Sequence, residues 1–173
     1  GEIGARAKVH SNASRSPATG IAVDVGRDPQ GEFFDVALAP GYTPELVVLD
    51  AQRRLRHLLL MSRRGGAKHK FLCGHDERDW FAAAVPETAG VGTVRAAMEA
   101  LKPDEVVEAQ ARKRLKGLHR NRRHNRAFIR QGEWIFILQQ DLVVYPKLLI
   151  RNEPLSRGRG KPHLPEFAYR TVR

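Results

Sequence analysis

The chain of 173 residues is 42% apolar and 28% charged, carries a net charge of +11 and contains one cysteine. This apolar fraction excludes a wholly disordered chain, and the length suits one domain with its own core. No apolar run approaches the roughly 18 residues that a membrane span needs, and the lone Cys73 excludes an intramolecular disulfide. We therefore expect a soluble basic protein of the cytoplasm or another reducing compartment, without a membrane partner.

The predicted elements divide the chain into an arm, a body and a tail. Residues 1–19 have no sustained apolar period, which predicts a flexible arm that contributes little to the core. Residues 20–150 are predicted to form a single domain, and residues 151–173 an irregular basic tail. Because the chain begins at Gly1 rather than at Met, we also expect a fragment or a processed product.

Alternating apolar and polar residues predict strands in the first half of the body. In chain order these strands cover residues 21–25, 33–38, 45–49, 57–62, 70–73 and 79–85. The turn residues at 28–31 join the first two strands into a hairpin, and residues 57–85 are predicted to form an antiparallel meander.

Two amphipathic helices are predicted after the strands, because apolar residues recur at helical spacing. The first begins at the N-cap Thr93, and its buried stripe consists of Val94, Ala97, Met98 and Leu101. The second begins at Pro103, and its buried stripe consists of Val107, Ala111, Leu115 and Leu118. Residues 128–138 are predicted as one strand or as two short strands around Gly132, and residues 142–150 as an edge strand. The predicted fold class is α+β, with an antiparallel sheet packed against two consecutive helices.

The positive charge is concentrated in residues 112–130, which contain nine cations and no carboxylate. Helix-dipole complementarity explains two or three of these cations, and the others indicate binding to a polyanion such as RNA or DNA. A smaller cluster of seven cations at residues 53–70 is offset by acids elsewhere in the body. The predicted phosphate-binding residues are Arg112, Lys113, Lys116, Arg120, Arg122, Arg123, Arg126, Arg130, Arg157, Arg159 and Lys161.

An aromatic strand follows this basic segment. If residues 128–138 form one strand, then one face carries Phe128, Arg130, Trp134 and Phe136. Aromatic rings beside arginine are typical of sites that stack unpaired bases, which favours RNA slightly over DNA. Apolar residues on both faces favour instead a buried central strand.

Two metal sites are alternative interpretations. His75, Asp76, Glu77 and Asp79 are the candidate catalytic residues of a metal-dependent nuclease, although a polar hairpin turn explains them more simply. Cys73, His75, His119 and His124 supply four zinc-type ligands, but their spacing matches no established zinc motif.

The remaining interpretation is a subunit that docks on an acidic protein or a larger nucleoprotein through its basic segments. The sequence lacks the glycine-rich loops that bind nucleotide phosphates and the nucleophile elbow of hydrolases. We therefore expect no cofactor, and nucleic-acid binding with weak sequence preference remains the favoured function.

Overall fold

The computed structural model describes residues 2–11, 19–76, 79–87, 90–131, 134–139, 141–155 and 162–170. The chain has an α+β fold, and the described ranges contain mostly antiparallel strands and two α-helices. It divides into two compact units, Gly1–Ile137 and Leu138–Arg173, so the boundary predicted at residue 150 lies inside the second unit. No helix in these described ranges has the length and apolar character that crossing a membrane requires.

Two sheets contain the first seven strands. The three-stranded sheet has the order β1–β3–β2 and consists of β1 (Arg6–Ser11), β2 (Ile21–Asp28) and β3 (Gly31–Leu38). The four-stranded sheet follows chain order and consists of β4 (Glu45–Gln52), β5 (His57–Arg64), β6 (Ala67–Asp76) and β7 (Asp79–Val85). The β2–β3 hairpin and the antiparallel meander of β5, β6 and β7 are confirmed.

Strand β1 lies where the sequence predicted a flexible arm. It pairs in parallel with β3, and the preceding Ile3 is only 5% exposed. Arg6 and Lys8 form ion pairs of 2.7 and 2.8 Å with Asp28 of β2, and their hydrogen bonds hold the pKa of that carboxyl below its usual value. The apolar pattern missed this strand because an edge strand with polar partners needs little apolar surface. Residues 12–18 of the predicted arm lie outside the described residues.

The four-stranded sheet is covered on both faces, since successive side chains of a strand point to opposite sides. One apolar cluster joins it to the three-stranded sheet and includes Ile21, Phe34, Val36, Phe71 and Cys73. Another joins it to the first helix and includes Leu59, Leu72, Phe81, Val94, Ala97 and Met98. Full burial of each Val, Leu, Ile, Phe or Met side chain in these clusters contributes about 1.5–3 kcal/mol to stability.

The first helix, α1 (Val94–Ala100), agrees with its predicted cap. The Thr93 hydroxyl accepts a hydrogen bond of 3.1 Å from the backbone N–H of Ala96. This bond satisfies one of the N–H groups that have no partner within the helix.

The second helix, α2 (Asp104–Arg112), buries Val106, Ala109 and Gln110. The predicted stripe is wrong, because Val107 is 39% exposed and Leu118 is 65% exposed. The helix ends at Arg112, and Leu118 lies beyond it in a 3-10 turn, Gly117–Asn121. Most of the basic segment is therefore not the end of a helix.

A short hairpin completes the first unit. It consists of β8 (Ile129–Gln131) and β9 (Trp134–Phe136), which confirms two short strands rather than one. Ala127 and Phe128 pack against Val106 and Ala109 of α2, with Leu115, Ile135 and Ile137 around them.

The described residues of the second unit contain little regular structure. A 3-10 turn, Pro146–Leu148, precedes β10 (Leu149–Arg151), which pairs antiparallel with β11 (Phe167–Tyr169). The edge strand predicted over residues 142–150 is thus limited to β10. The predicted irregular tail contains β11, whose three residues are too few to give a sequence period.

Candidate nucleic-acid interface

An arginine-lined cleft of about 980 Å³ lies in the first unit. Its walls are the turn between β4 and β5, the end of β6, α1, the 3-10 turn after α2 and the start of the β8–β9 hairpin. The arginines in its lining are Arg54, Arg95, Arg120, Arg122, Arg123 and Arg130. Asp76 and Glu99 supply negative charge in the same lining.

The buried side chain of Gln110 positions one wall of this cleft. Its Nε2 atom donates a hydrogen bond of 2.7 Å to the backbone carbonyl of Arg120. Lys102 donates to the same carbonyl at 3.1 Å. Because a buried amide without a partner is costly, these two bonds fix the 3-10 turn that carries Arg120 into the cleft.

Glu99 on α1 binds the same turn through its carboxylate. The oxygen atoms lie 2.6 Å from Lys102 Nζ and 3.1 Å from an Arg120 guanidinium nitrogen. Burial opposes ionisation of Glu99, but hydrogen bonds from Lys102 and Arg120 lower the pKa of this carboxyl overall. Glu99 therefore remains ionised at neutral pH and neutralises part of the charge of its two partners.

Asp76 lies at the end of β6, and its side chain is only 5% exposed. One carboxylate oxygen is 2.5 Å from Arg123 Nε, and the other is 3.9 Å from Arg130 Nε. The Arg123 contact is a close ion pair without hydrogen-bond geometry, so neither carboxylate oxygen has a hydrogen-bond donor among the residues that the structure describes. Burial lowers the pKa of Arg130, against the attraction of Asp76. An arginine stays protonated in such a site.

The structure divides the predicted phosphate-binding residues into three groups. Arg120, Arg122, Arg123 and Arg130 line the cleft. Arg112, Lys113, Lys116 and Arg126 are exposed outside its lining. Arg157, Arg159 and Lys161 lie outside the described residues.

Sequence reasoning missed Arg54 and Arg95 as members of the site. Arg54 belongs to the smaller basic cluster and lies in the β4–β5 turn, 58 residues before the main cationic segment begins at Arg112. Arg95 lies in the first turn of α1, where the helix dipole disfavours a cation. A cation at this position does not stabilise the helix, and this local feature of the sequence indicated that Arg95 has another role.

The residues of the two proposed metal sites are not assembled. His75 and Asp76 are adjacent in β6 and so point to opposite faces, with the His75 ring packed 4.9 Å from that of Trp80. Asp79 is exposed, and Glu77 lies outside the described residues. Among those described, no group of three or more histidine, cysteine or acidic residues is arranged to hold a metal ion.

Cys73 is separated from the other proposed zinc ligands by its place in the core. It is 1% exposed in the cluster between the two sheets, and this burial raises the pKa of its thiol to about 12. His119 and His124 are exposed. A zinc site would need the thiolate, which this environment disfavours.

The register of the hairpin corrects the predicted aromatic face. Phe128 is 5% exposed and packs in the core, whereas Phe136 is 40% exposed. Arg130 is paired with Ile135, and Ile129 with Phe136, and paired residues share a face. Phe136 and Trp134 therefore lie on the face opposite Arg130, because this register pairs even-numbered residues of one strand with odd-numbered residues of the other.

The arginine-lined cleft contains cations that have no acidic partner among the described residues. Arg54, Arg95 and Arg122 are exposed and form no ion pair with any part of the chain that the structure describes. No protein-family model, curated protein or solved structure matches the chain.

Proposed function

We propose that the chain binds nucleic acid, and that its phosphate groups contact the arginine-lined cleft. The observation that carries this proposal is the convergence of Arg54, Arg95 and Arg122 from three separate segments without an acidic partner among the described residues. Like charges held together repel one another, and a bound polyanion relieves this repulsion. Arginine also matches the oxygen geometry of phosphate better than lysine does.

Backbone contacts of this kind predict strong salt dependence and weak sequence preference. RNA is favoured slightly over DNA, because the hairpin carries exposed Phe136 and half-buried Trp134, and aromatic rings suit unpaired bases. The exposed cations outside the cleft, such as Lys113 and Lys116, add a longer-range attraction that guides the ligand to the protein.

The test is a salt series of binding to labelled single-stranded RNA, single-stranded DNA and duplex, with two variants of equal charge. The cleft variant combines Arg54→Gln, Arg95→Gln and Arg122→Gln, all exposed side chains with no ion pair in the described part of the chain. The control combines Lys113→Gln, Arg114→Gln and Lys116→Gln, which lie in the basic segment but outside the cleft. Each variant removes three positive charges.

We expect the cleft variant to bind more weakly, with a slope of log affinity against log salt that is shallower by about 0.7–0.9 per lost phosphate contact. The control should retain most of the slope. Equal effects of the two variants would show that the cleft is not the site. Absence of wild-type binding at low salt would overturn nucleic-acid binding and favour docking on an acidic protein.

A further inference from the structure

The solvent side of the β8–β9 hairpin carries an aromatic face, formed by His124, Ile129, Trp134 and Phe136. Ile129 is paired with Phe136 on one side and bridges to His124 on the other, which places the three in one row. Trp134 is two residues before Phe136 in β9, so it shares that face.

The two large rings of this aromatic face are nearly parallel. The centroids of Trp134 and Phe136 are 6.4 Å apart, and their planes differ by 16°. Ile129 is 44% exposed and Phe136 is 40% exposed. The opposite side of the hairpin is held by Ile135, which packs with Phe128 against α2. The packing of the hairpin on α2 therefore holds the backbone that carries the two rings.

We infer that this aromatic face stacks unpaired bases, so that the nucleic acid bound by the chain is single-stranded; this inference rests on the proposed function. Parallel rings offer flat apolar surface to a base, and a base inside a duplex has both of its faces covered by neighbouring bases. A single strand or an unpaired loop leaves those faces accessible.

The charges around the aromatic face favour a nucleic acid over an apolar protein segment as its occupant. The loop that enters the hairpin presents exposed Arg122 and Arg126, on either side of His124 along the chain. These cations suit the phosphates that accompany each stacked base. An uncharged protein segment would leave them without partners.

The first experiment follows the fluorescence of Trp134. The chain has two tryptophans, so the Trp80→Phe variant leaves Trp134 as the sole reporter. The two ligands are a single-stranded RNA of about ten nucleotides and the blunt duplex of the same sequence. This length suits a small site for a single strand. We expect the single strand to quench the emission of Trp134 and the duplex to leave it unchanged at equal occupancy.

The second experiment compares Trp134→Leu and Phe136→Leu with a matched control, Phe33→Leu, whose ring lies in β3 under Lys8. Each hairpin variant should lose about tenfold or more in affinity for the single strand and less than about twofold for the duplex. The control should bind both ligands as the wild type does. If the leucine variants fail to fold, Trp134→Phe and Phe136→Tyr keep a ring at each position and should retain single-strand binding.

The outcomes separate this inference from the proposed function. The stacking role would be overturned if the single strand and the duplex bound with equal, salt-dependent affinity, if the hairpin variants did not change this affinity, and if Trp134 was not quenched. That result would leave the proposed role of the cleft intact. If the chain bound neither the single strand nor the duplex, both the stacking inference and the proposed function would be overturned. Loss of binding to the duplex and the single strand alike in the hairpin variants would also contradict base stacking.

Discussion

The Nε atom of Arg123 lies 2.5 Å from a carboxylate oxygen of Asp76 in the floor of the arginine-lined cleft. Arg123 also donates a hydrogen bond of 3.2 Å to the backbone carbonyl of His75, so it is held at two adjacent residues of β6. The pair ties the basic segment to the four-stranded sheet across 47 residues of sequence. Asp76 therefore acts as a positioning residue for the cleft.

Replacement of this carboxylate should destabilise the first unit. Asp76→Asn keeps the shape of the side chain but removes the buried negative charge that lies beside the guanidinium groups of Arg123 and Arg130. Removing one member of a fully buried pair costs about 3–5 kcal/mol, and partial solvent screening of Arg123 reduces the expected loss to about 2 kcal/mol. Urea unfolding measures this change in the free energy of unfolding.

The matched control for that change is Asp79→Asn. Asp79 is the register partner of Asp76 in β7 and is exposed, so its loss should alter stability by less than about 0.5 kcal/mol. Equal stability of the two variants would contradict a structural role for the Asp76 ion pair. Magnesium-dependent cleavage of nucleic acid that disappears in Asp76→Asn would instead favour the nuclease interpretation.

The elements that the sequence predicted correctly depend on local patterns. The β2–β3 hairpin follows from alternation around a turn, and α1 follows from helical spacing after the cap Thr93. The early end of α2 was missed, because Arg114 adopts a φ of 50° and Gly117 a φ of 55°, which the apolar period does not encode. Gln110 was missed since a pattern of apolar residues does not count a polar side chain as buried.

The candidate site was only partly predictable for a different reason. The sequence showed where cations are dense, and that density located Arg120, Arg122, Arg123 and Arg130. It did not show which cations meet in space, since Arg54 lies in the distant β4–β5 turn and joins them only in the folded chain. Tertiary packing of this kind leaves no period in the sequence.

A methyl group added at Gly74 should strain the packing of β6 against two buried rings. A Cβ atom at this position in β6 would lie 2.8 Å from ring atoms of both His57 and Phe81, which are buried. Gly74→Ala should therefore cost about 1–3 kcal/mol of stability, as overpacked cores do. Thermal unfolding compares it with Gly92→Ala, whose added Cβ meets nothing within 4 Å. A Gly74→Ala protein as stable as that control would refute the close packing of the two rings.

The stability of the first unit should fall in mild acid because of His57. Its Nδ1 atom donates to the backbone carbonyl of Leu55, and burial, with a further contribution from Arg130, lowers the pKa of the ring below 6.5. Below about pH 6.5 the unfolded chain therefore binds a proton that the folded chain does not, so stability is lost as pH falls. Between about pH 7.5 and pH 5.5, the wild type should lose more free energy of unfolding than His57→Gln, by urea titration. The control is His119→Gln, which alters an exposed ring, and its free energy of unfolding should depend on pH as that of the wild type does. Identical pH profiles for His57→Gln and the wild type would contradict a buried neutral His57.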